Sequence, residues 1–167
     1  MPYSYNLFKN DVKSHMIAQG FSPDMNILDV GAGAGAYSHL LRNIFYNMDA
    51  LEIWQPYVQQ FKLHDLYRNV IIGNIMEFDF SEYDYLIMGD IFEHLSIEDA
   101  TKQLDKINTL GKKCLIAVPY MYPQGIEFGN VYESHLQEDL TPEIFLERYP
   151  SMRLLFGDNK YGYYVNY

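Results

Sequence analysis

Residues 27–41 read ILDVGAGAGAYSHLL. An apolar run ends in glycines at alternate positions, Gly31, Gly33 and Gly35, and then passes into a helix-like spacing that sets Tyr37, Leu40 and Leu41 on one face. A buried strand that turns at once into a helix needs backbone freedom, and glycine supplies positive φ and close approach to a ligand. The start of the helix beyond adds unpaired N–H groups and a positive dipole end, suited to a carboxylate or a phosphate. A tight strand–helix turn without any ligand is the bland alternative, and three alternate glycines at a strand end weigh against it.

Outward from this stretch, strands alternate with helices. Leu7, Phe8, Val12, Met16 and Ile17 follow a helical spacing that Gly20 is placed to end, giving an N-terminal helical cap over about 4–20. Strands are expected at 26–30, 48–53, 69–73, 83–88 and 114–118. The first helix after the glycines presents Tyr37, Leu40, Leu41, Ile44 and Phe45; the next starts near Pro56 and carries Tyr57, Val58 and Phe61. The link between the third and fourth strands is short and acidic, so a crossover helix there is small or absent. Ser96 with Asp99 reads as a helix start whose buried stripe is Ile97, Ala100, Leu104 and Ile107, ending at Gly111. Thr141 and Pro142 open one more helix, and 153–157 and 161–167 pair as a hairpin across the turn-like DNK. Five strands alternating with helices predict an α/β fold with a mostly parallel sheet covered on both faces, closed by an antiparallel C-terminal hairpin. In such sheets a ligand lies beyond the carboxyl ends of the strands.

At 167 residues the chain has the length of one domain, 1–167. The formal net charge of -10 argues against broad binding to nucleic acid or an anionic membrane, which would need Lys and Arg at the phosphates. The opening residues MPYSYNLFKNDVKSH hold no apolar signal core, and no run reaches membrane length, so a cytoplasmic protein is expected. Cys114 is the single cysteine; it lies within an apolar strand and reads as a buried thiol.

Two ligands compete for the glycine loop. Gly31, Gly33 and Ala36 satisfy a loose dinucleotide fingerprint, and Glu52 closes the second strand where an acid can hold ribose hydroxyls. An NAD(P)- or FAD-type oxidoreductase or binding module is therefore a rival. Against it, Asp29 stands just before the glycines, where its charge would repel a pyrophosphate but can brace the loop or meet an ammonium group. A dehydrogenase would also need further chain beyond a single sheet for its substrate. Finally, the later strand ends carry GNI (73–75) and GDIFEHL (89–95).

With ILDVGAGAG, Glu52 in ALEIW, Asn74 in GNI and YDYLIMGDIFEHL, the sequence resembles the class I S-adenosylmethionine-dependent methyltransferases over about residues 26–118. The resemblance implies a three-layer Rossmann-like methyltransferase fold with a seven-stranded sheet in the order 3-2-1-4-5-7-6, and S-adenosyl-L-methionine as cofactor. It implies that Asp29 and the loop of Gly31, Ala32, Gly33 and Gly35 surround the methionine part. Glu52 would accept from both ribose hydroxyls, and Ile53 or Trp54 would pack on the adenine. Asn74, where the family often has Asp, would address the adenine edge together with the backbone of Ile75. Asp90 would lie near the methionine moiety or the transferred methyl.

The cofactor carries the reactive methyl, so the protein needs a base only if the acceptor loses a proton. His94 and His135 are the candidates, with Tyr120 behind them; structural histidines at a turn and a surface are the alternatives. His135 lies in the irregular stretch 122–140, of the kind that forms lids and binding loops. Tyr3, Tyr5, Tyr120, Tyr122 and Tyr132 could wall an acceptor pocket. No metal is expected: Glu133, His135, Glu138 and Asp139 match no metal-ligand spacing. The fourth strand ends in neither the N/D-P-P-Y/F that resembles base-amino methylating enzymes nor a Pro-Cys nucleophile. A small-molecule acceptor, methylated on oxygen or nitrogen, is expected, with no nucleic-acid or membrane partner; a homodimer partner could supply a pocket wall. A binding protein that keeps the cofactor site without turnover is the third reading.

Overall fold

The structure is a computed structural model in which residues 5–167 are described. Strands β1 (Asn26–Val30), β2 (Asn47–Glu52), β3 (Asn69–Ile72), β4 (Tyr85–Gly89), β5 (Lys113–Pro119), β6 (Arg153–Gly157) and β7 (Tyr161–Val165) form a seven-stranded sheet in the order β3-β2-β1-β4-β5-β7-β6. This is the order the resemblance implied. Helices α1 (Lys9–Ala18), α2 (Ala36–Leu41), α3 (Gln55–Gln60), α4 (Ile97–Thr109) and α5 (Pro142–Arg148) fill the connections. By packing, the chain divides after Leu86 into two compact units.

In the first unit β1 and β2 run parallel, Asp29 opposite Ala50 and Val30 opposite Leu51, and β2 is parallel to β3. Ile27, Leu28, Ala50 and Leu51 are essentially inaccessible. A β-branched or aliphatic side chain buried this way stabilises by roughly 1.5–3 kcal/mol. No helix occupies the link from β3 to β4, which is a series of turns, as its length and acidity foretold.

Helix α1 departs from the expectation. It begins at Lys9, after Phe8 in a left-handed conformation (φ 66°), and Leu7 and Ile17 are about half exposed. Only Val12 and Met16 of the expected face are fully buried, joined by Lys9, whose Nζ lies 4.2 Å from the centre of the Tyr37 ring. The long aliphatic stem of a lysine can cover apolar surface while its ammonium meets an aromatic face. Helix α2 is also shorter than its apolar spacing suggested. Its last turn closes through Ile44 and Phe45 amides that both donate to the Leu41 carbonyl, which keeps Phe45 in the core without extending the helix.

In the second unit β7 is antiparallel to both β5 and β6, so the closing hairpin is as the sequence suggested. Ser96 caps α4: its Oγ accepts from the Asp99 amide at 3.1 Å and donates to the Asp99 carboxylate at 2.8 Å. Such a cap is worth about 1 kcal/mol. Ala100, Leu104 and Ile107 are buried, whereas Ile97, assigned to the same stripe, is 46% exposed because it stands in the first turn. Cys114 is fully buried, and burial pushes its thiol far up.

Candidate functional site

The first unit builds a cradle at the ends of β1 and β2. Gly31, Gly33 and Gly35 all take positive φ (67°, 49° and 74°). At Gly35 the requirement is double: a Cβ would also sit 2.5 Å from Leu66 Cδ1. The Gly31 amide donates to the Leu51 carbonyl at 2.7 Å and the Gly35 amide to Ala32 at 2.7 Å. Ala32 is buried against the turn.

Glu52 is the hub of this region. It is only 4% exposed, and its two carboxylate oxygens divide their work: Oε2 accepts from the Gly33 amide at 3.0 Å, Oε1 from the Trp54 amide at 2.8 Å. The acid therefore fastens the glycine loop to the end of the neighbouring strand. Ile53 and Trp54 follow, both half-buried.

Asp29 lies beneath the loop, 2% exposed, and accepts from the Tyr67 hydroxyl at 2.5 Å. Burial raises its carboxyl to about 7; the Tyr67 bond and the nearby Lys9 charge pull down, and the Glu52 charge pushes up. The Tyr67 hydroxyl is itself pushed well above its ordinary value, first by burial and then by the Asp29 charge. Asn74 is exposed and spends part of its amide oxygen on a local turn, accepting from the Met76 amide at 3.0 Å. Ile75 beside it is buried.

The second unit carries the remaining candidates. Asp90 follows β4 with φ 59°, a conformation tolerated by Asp more than by most residues. Its amide donates to the Ala117 carbonyl at 2.9 Å and its Oδ1 accepts from the Tyr161 hydroxyl at 2.7 Å. A single 3-10 turn, Phe92–His94, then presents Glu93 and His94. His135 meets His94 edge to face, with ring centres 4.7 Å apart. The backbone explains how: the Leu136 and Gln137 amides donate to the Glu93 carbonyl at 2.7 and 3.1 Å, and the His135 amide donates to Gln124 at 2.9 Å.

Both imidazoles are held neutral. Burial, followed by the neighbouring His135, lowers His94 to about 4, and burial lowers His135. Glu93 is 1% exposed; burial first, then the Asp90 charge, raises its carboxyl well above the ordinary range.

Much of the stretch 120–137 is built inside out. Gln124, Asn130, Glu133, His135 and Gln137 are buried, whereas Met121, Ile126, Phe128, Val131 and Leu136 are more than half exposed. Gln124 Nε2 donates to the Glu133 carbonyl at 2.8 Å, and Gln137 Nε2 donates to the carbonyl of Phe92 and to the Tyr149 hydroxyl, each at 2.8 Å. Tyr122 and Tyr132 are exposed enough to act as walls. Tyr120 is not: it is buried, and its hydroxyl is bonded to that of Tyr164. Tyr5 is exposed, and Tyr3 falls outside the described residues.

Three partners escaped the sequence reading. Tyr67 and Tyr161 each bind a candidate acid from a distant segment, which no spacing reveals. Glu93 had a signal, an acid beside a histidine in an otherwise apolar turn, but its complete burial is a tertiary property.

Comparison with known proteins fits this geometry. Residues 28–114 match the model of the family described as Methyltransferase domain. No curated protein matches the sequence. Among solved structures, an S-adenosylmethionine-dependent methyltransferase from Clostridium acetobutylicum ATCC 824 superposes with a TM-score of 0.70 at 10% identity, covering 98% of this chain and 91% of that one. The methyltransferase domain of bacterial-CtHen1-CN gives 0.66 at 17% identity, covering 94% and 95%. Magnesium protoporphyrin IX methyltransferase from Synechocystis PCC 6803, with bound SAH, gives 0.64 at 12% identity, covering 95% and 82%. At these identities the likeness is one of fold; it is the family match, over more than half of the sequence, that decides membership. The chain belongs to the methyltransferase-domain family, whose cofactor is S-adenosyl-L-methionine.

Proposed function

We propose that this chain is an active methyltransferase that transfers the methyl group of S-adenosyl-L-methionine to an oxygen or nitrogen of a small molecule. The observation that carries the reading is Glu52, a buried acid at the end of β2 tied to the amides of Gly33 and Trp54 beside the glycine loop. Such an acid suits the vicinal hydroxyls of a ribose.

In this reading the cradle of Gly31, Ala32, Gly33 and Gly35 takes the methionine part, and Asp29 lies below it to meet the ammonium group. Ile53 or Trp54 covers the adenine, Asn74 and the Ile75 backbone meet its edge, and Asp90 stands on the methyl side. The bound cofactor supplies an electrophilic methyl on a sulfonium, so no nucleophilic side chain is needed. The chain must orient the acceptor and exclude water. His94 and His135 are neutral and therefore offer lone pairs, either to an acceptor proton or to a cation. The exposed apolar residues of the stretch 121–136 supply surface for an acceptor with apolar parts. The charge of -10 and the strand-end motif GDIFEHL favour a small acceptor over nucleic acid.

Calorimetry with S-adenosylhomocysteine and with NAD tests the cofactor. Binding of the former and not the latter is expected; the reverse result transfers the chain to the dinucleotide readers. Glu52→Gln should weaken S-adenosylhomocysteine by about 2–4 kcal/mol, the worth of one or two charge-assisted hydrogen bonds. Unchanged affinity would remove the ribose assignment. A labelled-methyl screen over hydroxyl- and amine-bearing metabolites then identifies the acceptor.

A further inference from the structure

We propose that Glu93, His94 and His135 form a binding site for one borderline first-row divalent cation, of the Mn2+, Co2+ or Zn2+ kind. A carboxylate oxygen of Glu93 and one nitrogen of each histidine lie within 4.8 Å of one another. This is the span over which a single ion can gather three ligands after small side-chain rotations.

Glu93 is the first argument. It is 1% exposed, and neither of its carboxylate oxygens has a hydrogen-bond partner among the described residues. Buried polar groups are almost always satisfied, and an orphaned carboxyl is costly. Asp90 beside it adds negative charge, which outweighs the relief from its own backbone amide, and Glu133 adds more. Glu133 is itself held by Gln124 and Asn130, through contacts of 3.3 and 3.4 Å to its carboxylate. A cation is the partner that this arrangement suits.

The histidines are the second argument. His94 Nδ1 faces the Ser134 carbonyl at 3.2 Å, and His135 Nδ1 faces the Tyr122 carbonyl at 2.6 Å. A carbonyl only accepts, so each Nδ1 carries the hydrogen and each Nε2 keeps its lone pair. Orientation of a ring by a carbonyl behind it is the outer-shell pattern of metal-binding histidines. The frame is rigid as well, since main-chain bonds staple residues 135–137 to Glu93 and Gln124.

Two imidazoles and one carboxylate favour a transition metal over Mg2+ or Ca2+, which prefer all-oxygen shells. Three protein ligands leave coordination positions open. On the methyl-transfer reading, on which this role alone rests, an acceptor oxygen takes an open position. A hydroxyl bound there gives up its proton to solvent more readily. The acceptor is then an oxygen nucleophile rather than an amine, and the histidines serve as ligands rather than bases.

The test uses the full chain, stripped with chelator and dialysed against MnCl2, CoCl2 or ZnCl2 without any methyl donor. One equivalent is expected to bind and to raise the melting temperature. Glu93→Gln and His135→Asn should each weaken uptake by at least about 100-fold, while His64→Asn, at an exposed histidine, leaves it unchanged. Metal-stripped Glu93→Gln should melt no lower than the stripped wild type. Lack of stoichiometric uptake, uptake that survives both substitutions, or a stripped Glu93→Gln chain less stable than wild type overturns the site. Because these measurements involve no methyl transfer, their failure leaves the cofactor reading standing, and loss of S-adenosylhomocysteine binding would leave the cation site standing.

Discussion

The glycine cradle and the stretch 120–137 solve opposite problems. The cradle is backbone bent into left-handed turns over a dry floor of β-strand, held by one acid that grips two amides. Beyond the buried Tyr120, the later stretch keeps Gln124, Asn130, Glu133, His135 and Gln137 inside and Met121, Ile126, Phe128, Val131 and Leu136 outside. Hydrophobic burial has no direction, so a segment ordered by it alone could not aim an imidazole. Hydrogen bonds do have direction, and here they aim His135 at His94. One region is thus ordered by its backbone, the other by a fixed polar interior beneath an apolar exterior.

The largest test of this contrast lies under the cradle. The Asp29 carboxyl titrates at about 7 when folded, against an ordinary 3.8. The folded chain thus binds a proton that the unfolded chain has released between these values. The associated stability is complete below the unfolded pKa and is lost as pH rises through the folded one. It amounts to at most about 4 kcal/mol. Urea titrations from pH 4 to 8 should show this decline, and Asp29→Asn should flatten it. A decline that persists in the variant would move the buried charge elsewhere.

Next comes Gly35→Ala. Positive φ and the collision with Leu66 together should cost about 2–3 kcal/mol of unfolding free energy. A neutral result would mean that the cradle tolerates side chains and is not specialised. In the other region Gln137→Ala strands carbonyls of Phe92 and Leu95, for an expected loss of about 1–3 kcal/mol by the same measurement. If it costs nothing, the polar interior does not order the stretch. Phe128→Ser, at a side chain 73% exposed, should change stability by less than about 0.5 kcal/mol. A larger loss would show that the exterior is part of the fold after all.

What could be read in advance follows the same division. The glycines, Glu52, the Ser96 cap and the closing hairpin are local patterns of composition and spacing, and they were legible. Leu7 and Ile17 were misread because helical spacing reports a face without saying that anything covers it. The stretch 122–140 looked irregular for a more interesting reason. Glu133, His135 and Gln137 alternate inward with a period of two, but these inward residues are polar, while the apolar Leu136 between them points out. A hydrophobicity pattern finds no buried side there. The contacts of Asp29 with Tyr67, and of Glu93 with the segment containing His135, join distant positions that no single window contains.

The double grip of Glu52 has a kinetic side. With its loop already tethered and its strand end fixed, the protein has met the ordering entropy of this site during folding rather than during capture. On the proposed reading, a cofactor meets a rigid seat there without waiting for a segment to settle.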